Sequence, residues 1–214
     1  MNILAVGLII VACLSLAAWS FFRFTLRDPE RTAPAEDNVI ASPADGQIKY
    51  IKRIEQGTIP YSEKDGRRIP ILESTKMVSI EEGYLIGIWM SFFVVHVQRV
   101  PISGVVDKQN YHASGKFLDP HFQDGAEYQN ERNIVVIRSD KLPAPVIVVQ
   151  IASIMVRRII SYLEEKMVVK IGDRMGLIRF GSQVDIVIPA NDSMSLTVTV
   201  GDRVTAGESI IAKY

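Results

Sequence analysis

A chain of 214 residues is long enough to bury a core of its own as one good-sized domain. Its 24 basic and 24 acidic side chains cancel, so no net charge points to a nucleic-acid partner. Cys13 is the only cysteine, which excludes an internal disulfide and a cysteine metal cluster, and His96, His112 and His121 stand at no short metal-ligand spacing, so no metal is expected.

Residues 3–22 carry no charge. As a helix they would reach roughly 30 Å, the thickness of a bilayer core. Trp19, Phe21 and Phe22 gather at one end, where interfacial aromatics belong, and Arg23, Arg27 and Arg31 follow. The positive-inside rule then places the rest of the chain on the cytoplasmic side of the cell membrane. A cleaved signal peptide is the rival reading, but it normally opens with basic residues, and here Met1 and Asn2 supply no basic side chain. Residues 1–26 are therefore expected to form a membrane anchor, and the polar, proline-punctuated residues 27–37 a linker.

From residue 38 to 214 the pattern predicts a single mainly β domain. Residues 47–54, 77–80, 84–97, 134–137 and 146–151 are rich in β-branched and aromatic side chains, with Gly, Pro and Asp between them. Phe92 and Phe93 fall inside the third run and are expected in the core. Residues 107–133 form the longest polar stretch and read as a surface loop or lid holding His112 and His121. Residues 151–162 partly fit helical spacing, but their β-branched content favours strand. Near the end, Val169 to Gly176 is echoed by Thr199 to Gly207, each a strand, a Gly-Asp turn and a new apolar start. Such hairpins occur in barrel-sandwich domains, so a compact, twisted β architecture with few helices is expected behind the single membrane helix.

The most telling pair is Gly181 and Ser182. A strand-like run enters it from Leu177 and another leaves it through Val184, Ile186 and Ile188. Glycine reaches backbone angles closed to other residues, and the serine hydroxyl lies within reach of the glycine carbonyl. A strained bond at that point can break itself and leave a chain end with an unusual group.

Four segments carry a resemblance over nearly the whole chain: Arg27, Asp28, Pro29, Glu30 and Arg31; Ser42, Pro43, Ala44, Asp45 and Gly46; His96, Val97, Gln98, Arg99, Val100, Pro101, Ile102, Ser103 and Gly104; and Phe180, Gly181 and Ser182. Asn130, Glu131, Arg132 and Asn133, and Gln150 to Arg158, add support. Their order and spacing resemble the phosphatidylserine decarboxylase proenzymes of the short, membrane-anchored kind.

The resemblance implies self-cleavage between Gly181 and Ser182, giving a β chain of residues 1–181 and an α chain of residues 182–214. Ser182 would become a pyruvoyl group, the covalent cofactor. That group would take the amine of a phospholipid substrate and accept the electron pair freed as carbon dioxide leaves, turning phosphatidylserine into phosphatidylethanolamine. On spacing alone His96 reads as a satisfied core histidine; the resemblance assigns it proton handling in decarboxylation. Asp45 reads as turn chemistry before Gly46, and the resemblance makes it the self-processing aspartate. Two departures stand beside it: Arg99 where some members have a second histidine, and Val94 where an aspartate is frequent. They leave the base for self-cleavage unassigned. Arg157 and Arg158 are candidates for the lipid phosphate, against the plainer reading of a solvated strand edge. The expected partners are the phospholipid, the membrane and the two chains of one precursor, with no nucleic acid; homo-oligomerisation is left open. Two alternatives remain: a membrane-anchored lipoyl- or biotinyl-like carrier, modified at Lys76, and a decarboxylase acting on an archaeal ether lipid with the same serine headgroup.

Overall fold

The structure, a computed structural model, describes residues 3–56, 62–64, 67–69, 80–113, 131–152, 159–178 and 182–214. It opens with α1 (Ile3–Thr25), of which Ala5–Thr25 is long and apolar enough to cross a membrane. Leu8, Leu14, Leu16 and Trp19 are all exposed along it, as an apolar surface made for lipid would be.

The rest is mainly β, with the main sheet curled into a half-barrel. An eight-stranded antiparallel sheet runs in the order β11 (Val168–Val169), β7 (Gly104–His112), β8 (Arg132–Arg138), β9 (Val146–Ile151), β13 (Ser182–Pro189), β5 (Gly83–Met90), β2 (Gly46–Ile54) and β15 (Arg203–Val204). Two three-stranded sheets close against it. One contains β1 (Val39–Ala41), β16 (Ile210–Lys213) and β14 (Ser195–Leu196); the other contains β10 (Ile159–Ser161), β12 (Arg174–Ile178) and β6 (Val97–Arg99). A short hairpin pairs β3 (Ser62–Lys64) with β4 (Arg67–Ile69).

The central strands are buried on both faces. Ile86, Ile88, Val135, Val148, Val184 and Ile186 belong to one apolar cluster, and Leu85, Ile134, Val136, Ile147, Val149 and Val187 to a second on the other side. Double burial removes any pressure for polar residues to alternate, which is why residues 134–137 and 146–151 read as unbroken apolar runs. The strands expected at 47–54, 134–137 and 146–151 are present within β2, β8 and β9.

The repeated turn is real. Asp173 Oδ2 accepts the Lys170 N–H at 2.7 Å, and Asp202 Oδ2 accepts the Thr199 N–H at the same distance. Each turn needs a left-handed residue just before its aspartate, and glycine fills both places: Gly172 has φ 87° and Gly201 φ 101°.

Three expectations need correction. The run over 84–97 is not one strand: β5 stops at Met90, residues 91–96 form an irregular loop, and β6 begins at Val97. Phe92 and Phe93 are not core; they are 44% and 68% exposed on that loop. The polar stretch from 107 is not all loop, because β7 extends to His112 and β8 starts at Arg132. Polar residues suit β7, which turns several of its side chains toward water. Of the strand expected at 77–80, residues 77–79 lie outside the described residues, as do 153–158 of the ambiguous run.

Candidate active site

Ser182 opens β13 at a change of sheet. Ile178 ends β12 in a small sheet, paired with Ile159, while Ser182 is already in the large sheet opposite Met90 of β5. Gln183, next to it, pairs with Trp89 on one side and Ile151 on the other. Gly181 and the Ser182 side chain lie outside what is described, as do Arg157, Arg158, His121 and Lys76.

His96 is brought to the same place by the loop between β5 and β6. The Ile178 N–H donates to the His96 carbonyl at 3.2 Å, and Val97 pairs with Leu177. The histidine is thus fastened four positions ahead of Ser182. Its ring is buried, and Nδ1 lies 2.8 Å from the Val94 carbonyl oxygen, an acceptor that holds a proton on that nitrogen. Burial pushes the His96 pKa below its ordinary value of 6.5; backbone contacts with Val94 and Thr25 and the charge of Asp45 oppose that shift, and the charge of Arg27 adds to it. Thr25, the last residue of α1, therefore sits at the histidine.

The His96 carbonyl also ends a chain of amides that runs inward from Gln109. Gln109 Nε2 donates to Asn133 Oδ1 at 3.2 Å, Asn133 Nδ2 to Gln150 Oε1 at 2.8 Å, Gln150 Nε2 to Gln98 Oε1 at 2.9 Å, and Gln98 Nε2 to the His96 carbonyl at 2.8 Å. Asn133, Gln150 and Gln98 are fully enclosed. An amide carries both donor and acceptor, so such residues can form a directed chain without burying charge. Sequence reasoning did not identify this relay, although Gln98, Asn133 and Gln150 all lie in the segments that carried the resemblance.

Asp45 is committed to other partners. Both its oxygens accept from Arg31 Nη2, at 3.1 and 3.0 Å, and Oδ1 also accepts the Ala206 N–H at 2.8 Å. It joins the segment after α1 to the chain between β15 and β16. That segment, expected as a linker, is irregular but tied down at several points. Arg99 Nη2 donates to Asp28 Oδ1 and to the Pro29 carbonyl, Arg174 bonds Asp28 and Glu30, and Arg31 Nη1 reaches Glu208. Arg99, the residue that departs from the expected second histidine, is thus occupied in anchoring this strap. Val94, the other departure, supplies its carbonyl to the His96 ring.

A second polar group lies on the far face of β13. Tyr50 donates its hydroxyl proton to Asp185 Oδ2 at 2.6 Å, and Gln183 Nε2 donates to Asp185 Oδ1 at 2.8 Å. His112 closes β7 and is half-buried. A cleft of about 650 Å³ is lined by Tyr84, Pro189 and Asn191, at the opposite end of β5 and β13 from Ser182.

Comparison with known proteins adds the chemistry. The family model described as phosphatidylserine decarboxylase matches residues 19–212. A Methanocaldococcus jannaschii protein provisionally named an archaetidylserine decarboxylase proenzyme is 40% identical over 201 residues, 92% of this chain and 93% of its own. Phosphatidylserine decarboxylase proenzymes of Geotalea uraniireducens and Desulfotalea psychrophila are 36% and 37% identical, over 94% and 95% of this chain and 83% and 84% of theirs. With a match running from the end of α1 to β16, the chain belongs to the phosphatidylserine decarboxylase family.

Proposed function

We propose that the protein is a self-processing, pyruvoyl-dependent decarboxylase of serine phospholipids, held in the cell membrane by α1 with its β domain on the cytoplasmic side. The observation that carries the reading is the position of Ser182, at the head of a central strand where the chain changes sheet, with the His96 carbonyl fixed to Ile178 just before it.

The residues suit a pyruvoyl group made from Ser182. A break ahead of Ser182 would leave residues 182–214 with β13 paired on both sides, β15 paired to β2, and β16 paired to β1. The new end would therefore stay in place beside Met90. Such a group would supply an electrophilic carbonyl for the substrate amine and an electron sink for the loss of carbon dioxide. His96, buried and held neutral near pH 7, is the proton carrier of the site. Asp45 serves self-processing by position and charge, since Arg31 and the Ala206 amide already occupy its oxygens. Arg157 and Arg158 are assigned to the lipid phosphate on the strength of guanidinium chemistry. Arg23, Arg27 and Arg31 after the apolar helix support the cytoplasmic side.

The name of the Methanocaldococcus relative favours a second form of the same reading, an ether-lipid substrate with a serine headgroup. Turnover of diacyl and diether substrates, measured side by side, separates the two.

Denaturing mass spectrometry tests the central claim. Two fragments parting between residues 181 and 182 are expected, the smaller with a carbonyl-bearing, blocked amino end. Ser182→Ala should remain one chain without turnover. A Ser182→Ala protein that is uncut yet fully active would overturn the proposal.

A further inference from the structure

The loop that delivers His96 turns its largest apolar side chains outward. Phe92 is 44% and Phe93 68% exposed, and Trp89, just before them on β5, is 42% exposed. Single exposed apolar residues are ordinary; three aromatics within five positions form a patch that calls for a partner.

The charged groups around the patch are basic. Lys49 Nζ lies 4.9 Å from the centre of the Trp89 ring. Arg27 Nη2 donates to the Phe93 carbonyl at 3.1 Å. Arg203 lines a cleft of about 350 Å³ with Gln47, Trp89, Ser91, Phe93 and Val94, and no acidic side chain lines it. Arg203 is exposed and forms no ion pair among the described residues.

The patch also continues from the end of the apolar helix. The Arg27 guanidinium that holds Phe93 packs 3.8 Å from the ring centre of Phe24, in the last turn of α1, and Arg23 lies over Trp19 one turn earlier. If α1 spans a bilayer, Trp19 to Arg27 lie at its surface, and Phe93 is bonded directly to that level. Exposed aromatics with lysine and arginine beside them suit a lipid interface, where rings enter the headgroup region and cations meet anionic phosphates.

We propose that Trp89, Phe92 and Phe93, with Lys49, Arg203 and Arg27, form a rim that seats on an anionic bilayer surface. The domain then touches lipid through its own β5–β6 loop as well as through α1, and the Arg203 cleft faces the headgroup layer. The rim stands apart from the proposed chemistry: it requires neither chain cleavage nor decarboxylation.

Trp19 and Trp89 are the two tryptophans of the chain, so Trp19→Phe leaves Trp89 as the sole reporter. The full-length Trp19→Phe protein is placed in nanodiscs of phosphatidylcholine, with or without phosphatidylglycerol, and with or without bromine on the acyl chain next to the headgroup. Trp89 emission should fall in the brominated discs, and fall further when phosphatidylglycerol is present. Lys49→Glu with Arg203→Glu should weaken the docked population by about fivefold per residue, the contribution of one basic side chain at an anionic surface. Phe92→Ser with Phe93→Ser should reduce the quenching in both lipid mixtures. An unchanged melting transition in detergent confirms that these surface variants fold. Equal emission in brominated and plain discs, as a protein covering the patch would give, overturns the proposal. Full quenching that survives both pairs of substitutions assigns lipid contact to α1 alone and overturns it too. Neither result touches the mass-spectrometric test of cleavage at Ser182.

Discussion

Two polar assemblies meet at His96, and they are built from different materials. Outside, the strap after α1 uses full charges: Asp28 with Arg99 and Arg174, and Arg31 with Asp45 and Glu208. Inside, the relay from Gln109 to the His96 carbonyl uses only amides. Enclosing an ion costs far more than enclosing a paired amide, so Arg99, the enclosed ion of the strap, is met by a carboxylate and two backbone carbonyls, while Gln98, Asn133 and Gln150 need only one another and the His96 carbonyl. The division has a functional side. The main chain of His96 is set by groups that neither salt nor pH disturbs, whereas the neighbourhood of its ring, through Thr25 and Arg27, depends on a strap that salt can loosen.

The sharpest test removes the residue on which both converge. His96→Ala should leave chain cleavage intact and lower decarboxylation by about 10²- to 10⁴-fold, the usual contribution of a positioned proton carrier; unchanged turnover would take the histidine out of the chemistry. Asp28→Ala comes next. It strips Arg99, whose side chain is 4% exposed, of its carboxylate, and should cost roughly 2–3 kcal/mol, somewhat under the figure for a fully enclosed pair because Asp28 is itself 29% exposed. Asp28 also holds the more exposed Arg174, so thermal melts in low and high salt should show that share of the penalty shrinking as salt rises. Gln150→Leu breaks the relay in two places and should cost about 2 kcal/mol, the usual penalty for stranded amides. That loss should be the same at every ionic strength, and a matching salt response in both variants would erase the distinction between strap and relay.

The smallest effect is in pH. Burial lowers the His96 pKa, so the folded protein holds this proton less tightly than the unfolded chain does. The resulting stability is complete above 6.5 and drains away as pH drops from there toward the folded value. His96→Gln should therefore lose less melting temperature on acidification than the unaltered protein. A larger loss in the variant would mean that the ring is charged in the fold.

The sequence made some of this legible and hid the rest for physical reasons. The long apolar helix, the β-branched strands and the paired Gly-Asp turns are local patterns, and each is present. The break after Met90 was hidden because Phe92 and Phe93 continue an apolar run, and periodicity alone cannot tell an outward-facing aromatic loop from a buried strand. The strap shows in the sequence only as a polar, proline-punctuated stretch. Its partners are remote in the chain: Arg99 stands 71 positions from Asp28, and Glu208 stands 177 from Arg31. The relay was half visible. Gln98, Asn133 and Gln150 lie within the segments that carry the resemblance, but their contact crosses β6, β8 and β9, and no window along the chain brings those strands together.

The location of β13 has a consequence for the life of the folded protein. It lies between β5 and β9, whose residues come from far earlier in the chain. An intact precursor that unfolds can recover by itself, because one molecule holds every strand. A cut one cannot: its central strand has become a separate solute, and recovery requires two molecules to meet, so it fails on dilution. Activation would then spend the capacity to renature, and a heated, matured preparation would regain less structure the more thinly it is spread.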